Sequence, residues 1–395
     1  MAARPGEGGW ARHRGARPFR RSQRSEDRIG GPMSGDGFYT ALESMLARFD
    51  ATARRLALRA QTVREFEAWR QELRTELRRA IALDTAERVP LAPRVTERVP
   101  LDGYVRERVE LTTEPGVVMP VYVLVPEGLR PGEVRPAVVA LHGHGGGGKL
   151  ATAGRRDIPA VAEAIERYHY DYGLELVGRG LVVFCPDARG FGERREAGRQ
   201  SDDDLLGKSC DLLNHMALPL GRTVLGMWTW DNMRLLDYIQ TRGECDPHRI
   251  GCAGLSGGGL QTLFLAALDE RVRAAVISGY FYGVKDALLR LNSNCSCNYV
   301  PGLWQLADMG DIGALIAPRP LLIETGREDP LNGERGAVNA EEQVAIARQA
   351  YRLLGAEERL EHDIFAGGHR WHGVRALPFL AGHLGLAGQE GPREA

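Results

Sequence analysis

Five short apolar runs constrain this chain more than any other feature: Ala137–Leu141, Leu181–Cys185, Ile250–Ala253, Ala274–Ile277 and Leu321–Ile323. Each is too short for a core helix and offers no polar face to water, so each reads as a strand buried on both sides. Between them lie segments with apolar residues at spacings of three and four, among them Trp228–Ile239, Gly258–Leu268 and Glu341–Leu354. Buried strands alternating with helices predict an α/β fold, a mostly parallel sheet covered by helices on both faces. Ahead of them Val105–Leu111 alternates and Val117–Val125 is a β-branched run after a Pro-Gly turn, so an antiparallel hairpin is expected to open the sheet.

Upstream, residues 38–83 carry two helical faces. Leu42, Met45, Leu46 and Phe49 share one, and Phe66, Trp69, Leu73, Leu77 and Ile81 share the other. The expected organisation is an Arg/Gly-rich disordered extension over 1–32, a helical appendage over 33–95 and a catalytic domain over 96–387. The extension lacks the apolar stretch of about 7–15 residues that a secretory signal needs. The connections 193–225 and 281–315 are long enough to be functional loops or lids.

Composition narrows the partners. Lys and Arg number 51 against 52 Asp and Glu, a net charge of −1, so nothing overall basic is present to grip nucleic acid. No apolar run approaches the roughly 20 residues of a membrane-spanning helix. The six cysteines form no regular framework, and Cys185 and Cys252 sit inside strand runs. A reducing, cytoplasmic setting is therefore expected. The helical appendage offers a surface for a second copy, which is compatible with a homo-oligomer.

The chemistry concentrates at Gly254-Leu255-Ser256-Gly257-Gly258, between a predicted strand and a predicted helix. Small residues on either side let a serine occupy a tight turn with its hydroxyl at the sheet's edge, a nucleophile elbow. A glycine-rich turn with a capping serine would look the same. Partners in the chain order Ser…Asp…His favour the nucleophile: Asp329 follows the strand Leu321–Ile323, and His369 follows the strand-like Glu361–Phe365. Glu328 and His372 compete for these roles. Asp329 is preferred because it begins an Asp-Pro step, and His369 because Gly367 and Gly368 let the chain turn it toward the serine. The run His142-Gly143-His144-Gly145-Gly146-Gly147-Gly148-Lys149 follows another strand. It should supply one main-chain oxyanion donor, with the amide of Gly257 as the other. Leu150 after Lys149 breaks the phosphate-loop pattern. His142-x-His144 and Cys295-x-Cys297 lack a second pair at zinc spacing, so no metal and no cofactor are expected.

From about residue 100 to 385 the chain resembles the α/β-hydrolase superfamily, in its acetyl xylan esterase-like and dienelactone hydrolase-like branch. The residues carrying the resemblance are His142-Gly143-His144-Gly145-Gly146, Pro186-Asp187-Ala188-Arg189-Gly190-Phe191-Gly192, Gly254–Gly258, Ala317-Pro318-Arg319-Pro320-Leu321 and Gly367-Gly368-His369. The resemblance implies that the amide of His144 pairs with that of Gly257 in the oxyanion hole. Dienelactone hydrolases use a cysteine nucleophile, and this chain has Ser256, which favours ester hydrolysis over lactone opening. The expectation is a serine carboxylesterase for short acyl esters of small molecules or carbohydrates. A peptidase, a thioesterase or a non-catalytic binding protein on the same fold stays open. Trp228, Trp230, Tyr282, Tyr299 and Trp304, on or near the long connections, are candidates for the pocket wall. Asp187 and Arg189 are expected to brace their loop by ion pairing.

Overall fold

The computed structural model describes residues 39–200 and 204–386; the expected extension 1–32 lies outside the described residues. Nine strands form one sheet: β1 (Arg94–Leu101), β2 (Tyr104–Glu114), β3 (Val117–Pro126), β4 (Arg135–Leu141), β5 (Val182–Pro186), β6 (Cys245–Leu255), β7 (Val272–Ser278), β8 (Leu321–Gly326) and β9 (Leu360–Phe365). Their spatial order is β1-β2-β3-β5-β4-β6-β7-β8-β9. The pairs β1–β2, β2–β3 and β3–β5 are antiparallel, and all the others are parallel. The expected hairpin is β2–β3. The strand β1 was not expected, because its residues are exposed or half-buried and show no apolar face.

The short apolar runs are strands buried on both sides. Along β4, Ala137, Val139 and Leu141 enter one hydrophobic cluster while Val138 and Ala140 enter a second on the opposite face. In β5, Val182 and Phe184 separate in the same way from Val183 and Cys185. That is the two-residue period of a strand with no solvent face.

The helix Val63–Ala80 begins at a capping box, Thr62 with Glu65, and places Phe66, Leu73, Leu77 and the following Ile81, all fully buried, in the first cluster. The expected boundary at 95/96 therefore needs correction. It falls inside β1, and the described residues from Leu42 onward form one compact unit, in which the helix Val63–Ala80 packs against the helices Gly257–Leu268 and Leu303–Leu306. The earlier helix, Leu42–Thr52, buries only Leu46 of its four expected apolar positions and leaves Leu42 and Met45 exposed. Its exit is pinned by Arg54, whose guanidinium makes two bonds of 2.8 and 2.9 Å to the buried Asp311. The long connections are not structureless: they contain the helices Cys210–Ala217, Leu303–Leu306 and Met309–Ala314 and a π-turn at Lys285–Arg290.

β4 lies between β5 and β6, so the chain leaves it to one side first and returns on the other. The crevice at such a reversal, beyond the carboxyl ends of the strands, is where open α/β sheets place ligands. Leu141 and Gly254 are paired in register here, so the loops that follow them emerge side by side.

Candidate active site

β6 passes to the helix Gly257–Leu268 through Ser256 alone, at φ 61° and ψ −121°. A non-glycine residue held at positive φ costs about 1–3 kcal/mol and persists only where its surroundings fix it. Ser256 donates its N–H to the Ser278 carbonyl at 2.9 Å and accepts from the Leu260 N–H at 3.0 Å. The closeness of strand and helix explains the glycines: a Cβ on Gly258 would lie 1.8 Å from the Leu141 carbonyl oxygen.

The structure separates the competing acids and bases. Asp329, buried, accepts from the Leu331 N–H at 2.9 Å through one oxygen and meets His369 Nδ1 at 2.7 Å through the other. The His369 ring rests on Gly279, where a Cβ would lie 3.0 Å from its Cε1. Gly279 directly follows Ser278, the residue that receives the Ser256 N–H. Glu328 instead accepts the Gly367 N–H and donates its own N–H to the Gly367 carbonyl, fastening the loop that carries His369. His372 pairs through Nδ1 with Asp363 at 2.7 Å and stacks on Phe365. Glu324 completes the anchorage by accepting the N–H groups of Gly373 at 2.9 Å and His372 at 3.3 Å. Burial pushes its carboxyl up to about 7.

The glycine run folds over the elbow. His142 is buried and its Nε2 accepts the Ala188 N–H at 3.0 Å, so Nδ1 carries the proton and donates to the Gly143 carbonyl. Burial holds its pKa below the usual imidazole value. His144 and Gly257 lie against one another: a Cβ on Gly257 would stand 2.8 Å from His144 Nδ1. Tyr170 donates its hydroxyl to the His144 carbonyl at 2.8 Å, and Phe191 packs edge-on against both His142 and His144. No motif or spacing singles out Tyr170 in the chain. Asp187 and Arg189 both brace, but not with each other. Asp187 pairs with buried Lys149 at 2.6 Å, and Arg189 holds Asp231 and Glu114.

The expected aromatic pocket wall needs correction. Trp228 is core, fully buried with its indole N–H on the Arg189 carbonyl, and Trp230 donates to the Thr113 carbonyl. Tyr282 is fully buried. Tyr299 and Trp304 pack together, and Trp304 lines a groove with Met45 and Phe49 of the first helix that no candidate catalytic residue reaches. His144, Cys295 and Cys297, weighed by spacing and set aside as metal ligands, converge with Cys210 from three separate segments. No helix among the described residues is long and apolar enough to cross a membrane.

A mostly parallel sheet with a serine elbow at its reversal point, a carboxylate–imidazole pair beyond the neighbouring strands and a glycine loop alongside defines an α/β hydrolase. Residues 22–366 match the profile of the Abhydrolase family, and the chain belongs to that family. Over 227 residues it is 30% identical to YtaP of Bacillus subtilis (strain 168), named as a hydrolase; the match covers 55% of this chain and 71% of that one. Among solved structures, an acetyl xylan esterase-type protein of Bacteroides fragilis NCTC 9343 superposes with a TM-score of 0.66 at 22% identity, covering 84% of this chain and 83% of its own. A glucuronoyl esterase from Solibacter usitatus does so at 0.58 and 16% identity, with 85% and 97% covered. At these identities the two structures establish the shared fold.

Proposed function

We propose that the protein is a serine carboxylesterase in which Ser256 is the nucleophile, His369 the general base and acid, and Asp329 the group that orients it. The observation carrying this reading is the 2.7 Å contact between His369 Nδ1 and buried Asp329, with the ring resting beside the strand end that holds Ser256. Asp329 fixes the proton on Nδ1, which leaves Nε2 free to accept. The Ser256 hydroxyl attacks the ester carbonyl carbon while its proton passes to Nε2. The amides of Gly257 and His144 receive the negative charge on the carbonyl oxygen. Nε2 then returns the proton to the departing alcohol, leaving an acyl-enzyme. Water, deprotonated by the same nitrogen, releases the acid and restores Ser256.

The substrate class is an ester with a short acyl group and a carbohydrate as the alcohol, a reading supported by the names of the fold's esterase neighbours. The six free cysteines support a reducing, cytoplasmic setting. Hydrolysis of 4-nitrophenyl esters from acetate to octanoate, by wild type and Ser256→Ala in parallel, is the test. A preference for acetate that vanishes in the variant is expected. Equal rates in both proteins would remove Ser256 from the mechanism.

A further inference from the structure

We propose that His144, Cys210, Cys295 and Cys297 form a tetrahedral Cys₃His site for a zinc-class divalent ion, which clamps both long insertions to the glycine loop. The site stands independently of the esterase reading. It rests on four ligand atoms that all lie within 4.8 Å of one another. An ion at the centre, with bonds of about 2.3 Å to sulfur and about 2.0–2.1 Å to nitrogen, requires sulfur–nitrogen edges of about 3.5 Å. Cys297 Sγ lies 3.5 Å from His144 Nε2.

The surroundings suit thiolates. Asn298 donates from Nδ2 to Cys297 Sγ at 3.5 Å, and Asn298 is itself fixed by bonds to the Cys295 carbonyl and the Tyr280 hydroxyl. Lys208 places a positive charge near Cys295. A divalent ion with three thiolates carries one net negative charge, which the Lys208 ammonium balances. Such outer groups orient ligands and tune their basicity. Soft sulfur donors with one imidazole select zinc over magnesium or calcium. Four protein ligands fill the coordination sphere, so the ion has no open position for water and its role is structural.

The ligands come from three places in the chain: the loop after β4, the first residue of the helix Cys210–Ala217, and the turn around Ser296–Asn298. One ion therefore ties the insertions 193–225 and 281–315 to the segment that lies against Gly257. Spacing raises His144 and the Cys295/Cys297 pair but not their meeting with Cys210, because the ligands lie on three separate segments; the expectation of no metal followed from that separation.

The test measures metal directly. Protein expressed in zinc-supplemented medium and purified without chelators should contain about one zinc per chain. Cobalt added to the reduced, metal-stripped protein should give the intense ligand-field and sulfur-to-metal bands of a tetrahedral thiolate complex. Cys210→Ser and Cys297→Ser should each lose the metal, while Cys185→Ser, on the other face of the sheet, should keep it. Wild type that carries no zinc and takes up no cobalt would overturn the proposal, as would four titratable thiols in place of the six free cysteines after denaturation without reductant. The cobalt and thiol measurements need only wild type, so a variant that fails to fold does not blunt them.

Discussion

Asp329 and Glu328 are adjacent in the chain and serve the same loop in different ways: Asp329 meets the His369 ring at 2.7 Å, and Glu328 takes the backbone N–H of Gly367. One carboxylate orients the imidazole and the other orients the loop that delivers it. Asp329→Asn keeps the shape but favours the wrong tautomer, so kcat should fall by about 10⁴. Glu328→Gln retains an oxygen acceptor for Gly367 and should leave kcat near wild type. Steady-state kinetics on 4-nitrophenyl acetate decide it, and the reverse ranking would make Glu328 the triad acid.

Glu324 should write itself into the pH dependence of stability. Its folded pKa is raised from 4.5 to about 7 because burial disfavours the charge. A raised pKa means that the folded state holds the proton more tightly than the unfolded state does. The contribution is full below about 4.5 and is lost as pH rises through about 7, a span worth of order 3 kcal/mol. Glu324→Gln does not titrate. The stability difference between variant and wild type should therefore move in the variant's favour by that amount between pH 4.5 and pH 8. Urea unfolding at both pH values measures it; a constant difference would place the titration elsewhere.

Arg54 tests how firmly the helical segment is held. Its guanidinium is the cationic partner of Asp311, whose side chain is fully buried and also accepts the Leu58 N–H at 2.9 Å. Arg54→Ala leaves that carboxylate underpaired. The arginine is itself 31% exposed, so the loss should be about 2–3 kcal/mol rather than the larger cost of breaking a wholly buried pair. Replacing both residues, Arg54→Leu with Asp311→Asn, should recover part of it. Chemical denaturation of the two variants supplies the comparison.

Most of the sheet was legible because burial on both faces leaves an unbroken apolar run, and that signal survives without any knowledge of neighbours. β1 was not, since an edge strand takes its order from hydrogen bonds to β2 and keeps Arg94, Thr96 and Arg98 in water. The triad candidates were legible because each sits on a loop at a strand's end, where chain order tracks space. His369 is preferred over His372 in the sequence for its two preceding glycines; in the structure both histidines meet an aspartate at 2.7 Å, and His369 is the one that meets Asp329. The aromatic wall failed for a physical reason. Tryptophan in an insertion can lie in the core as readily as in a pocket, and the indole N–H of Trp228 and that of Trp230 each found a backbone carbonyl.

The elbow itself yields the sharpest contrast between two chemically identical substitutions. A Cβ on Gly258 would overlap the Leu141 carbonyl oxygen at 1.8 Å, and neither the helix Gly257–Leu268 nor β4 can retreat without disturbing the other. Gly258→Ala should cost about 3 kcal/mol or more. It should also lower kcat, because the shift displaces Ser256 relative to the glycine loop. Gly382, in the helix Ala376–His383, has nothing within 4 Å of its would-be Cβ and an unstrained backbone. Gly382→Ala should stabilise by about 0.5 kcal/mol through the unfolded chain alone, with kcat unchanged. Thermal unfolding and ester kinetics on both variants read the difference. Equal, small effects at the two positions would mean that strand and helix are not in contact at the elbow, and the strained conformation of Ser256 would lose its physical cause.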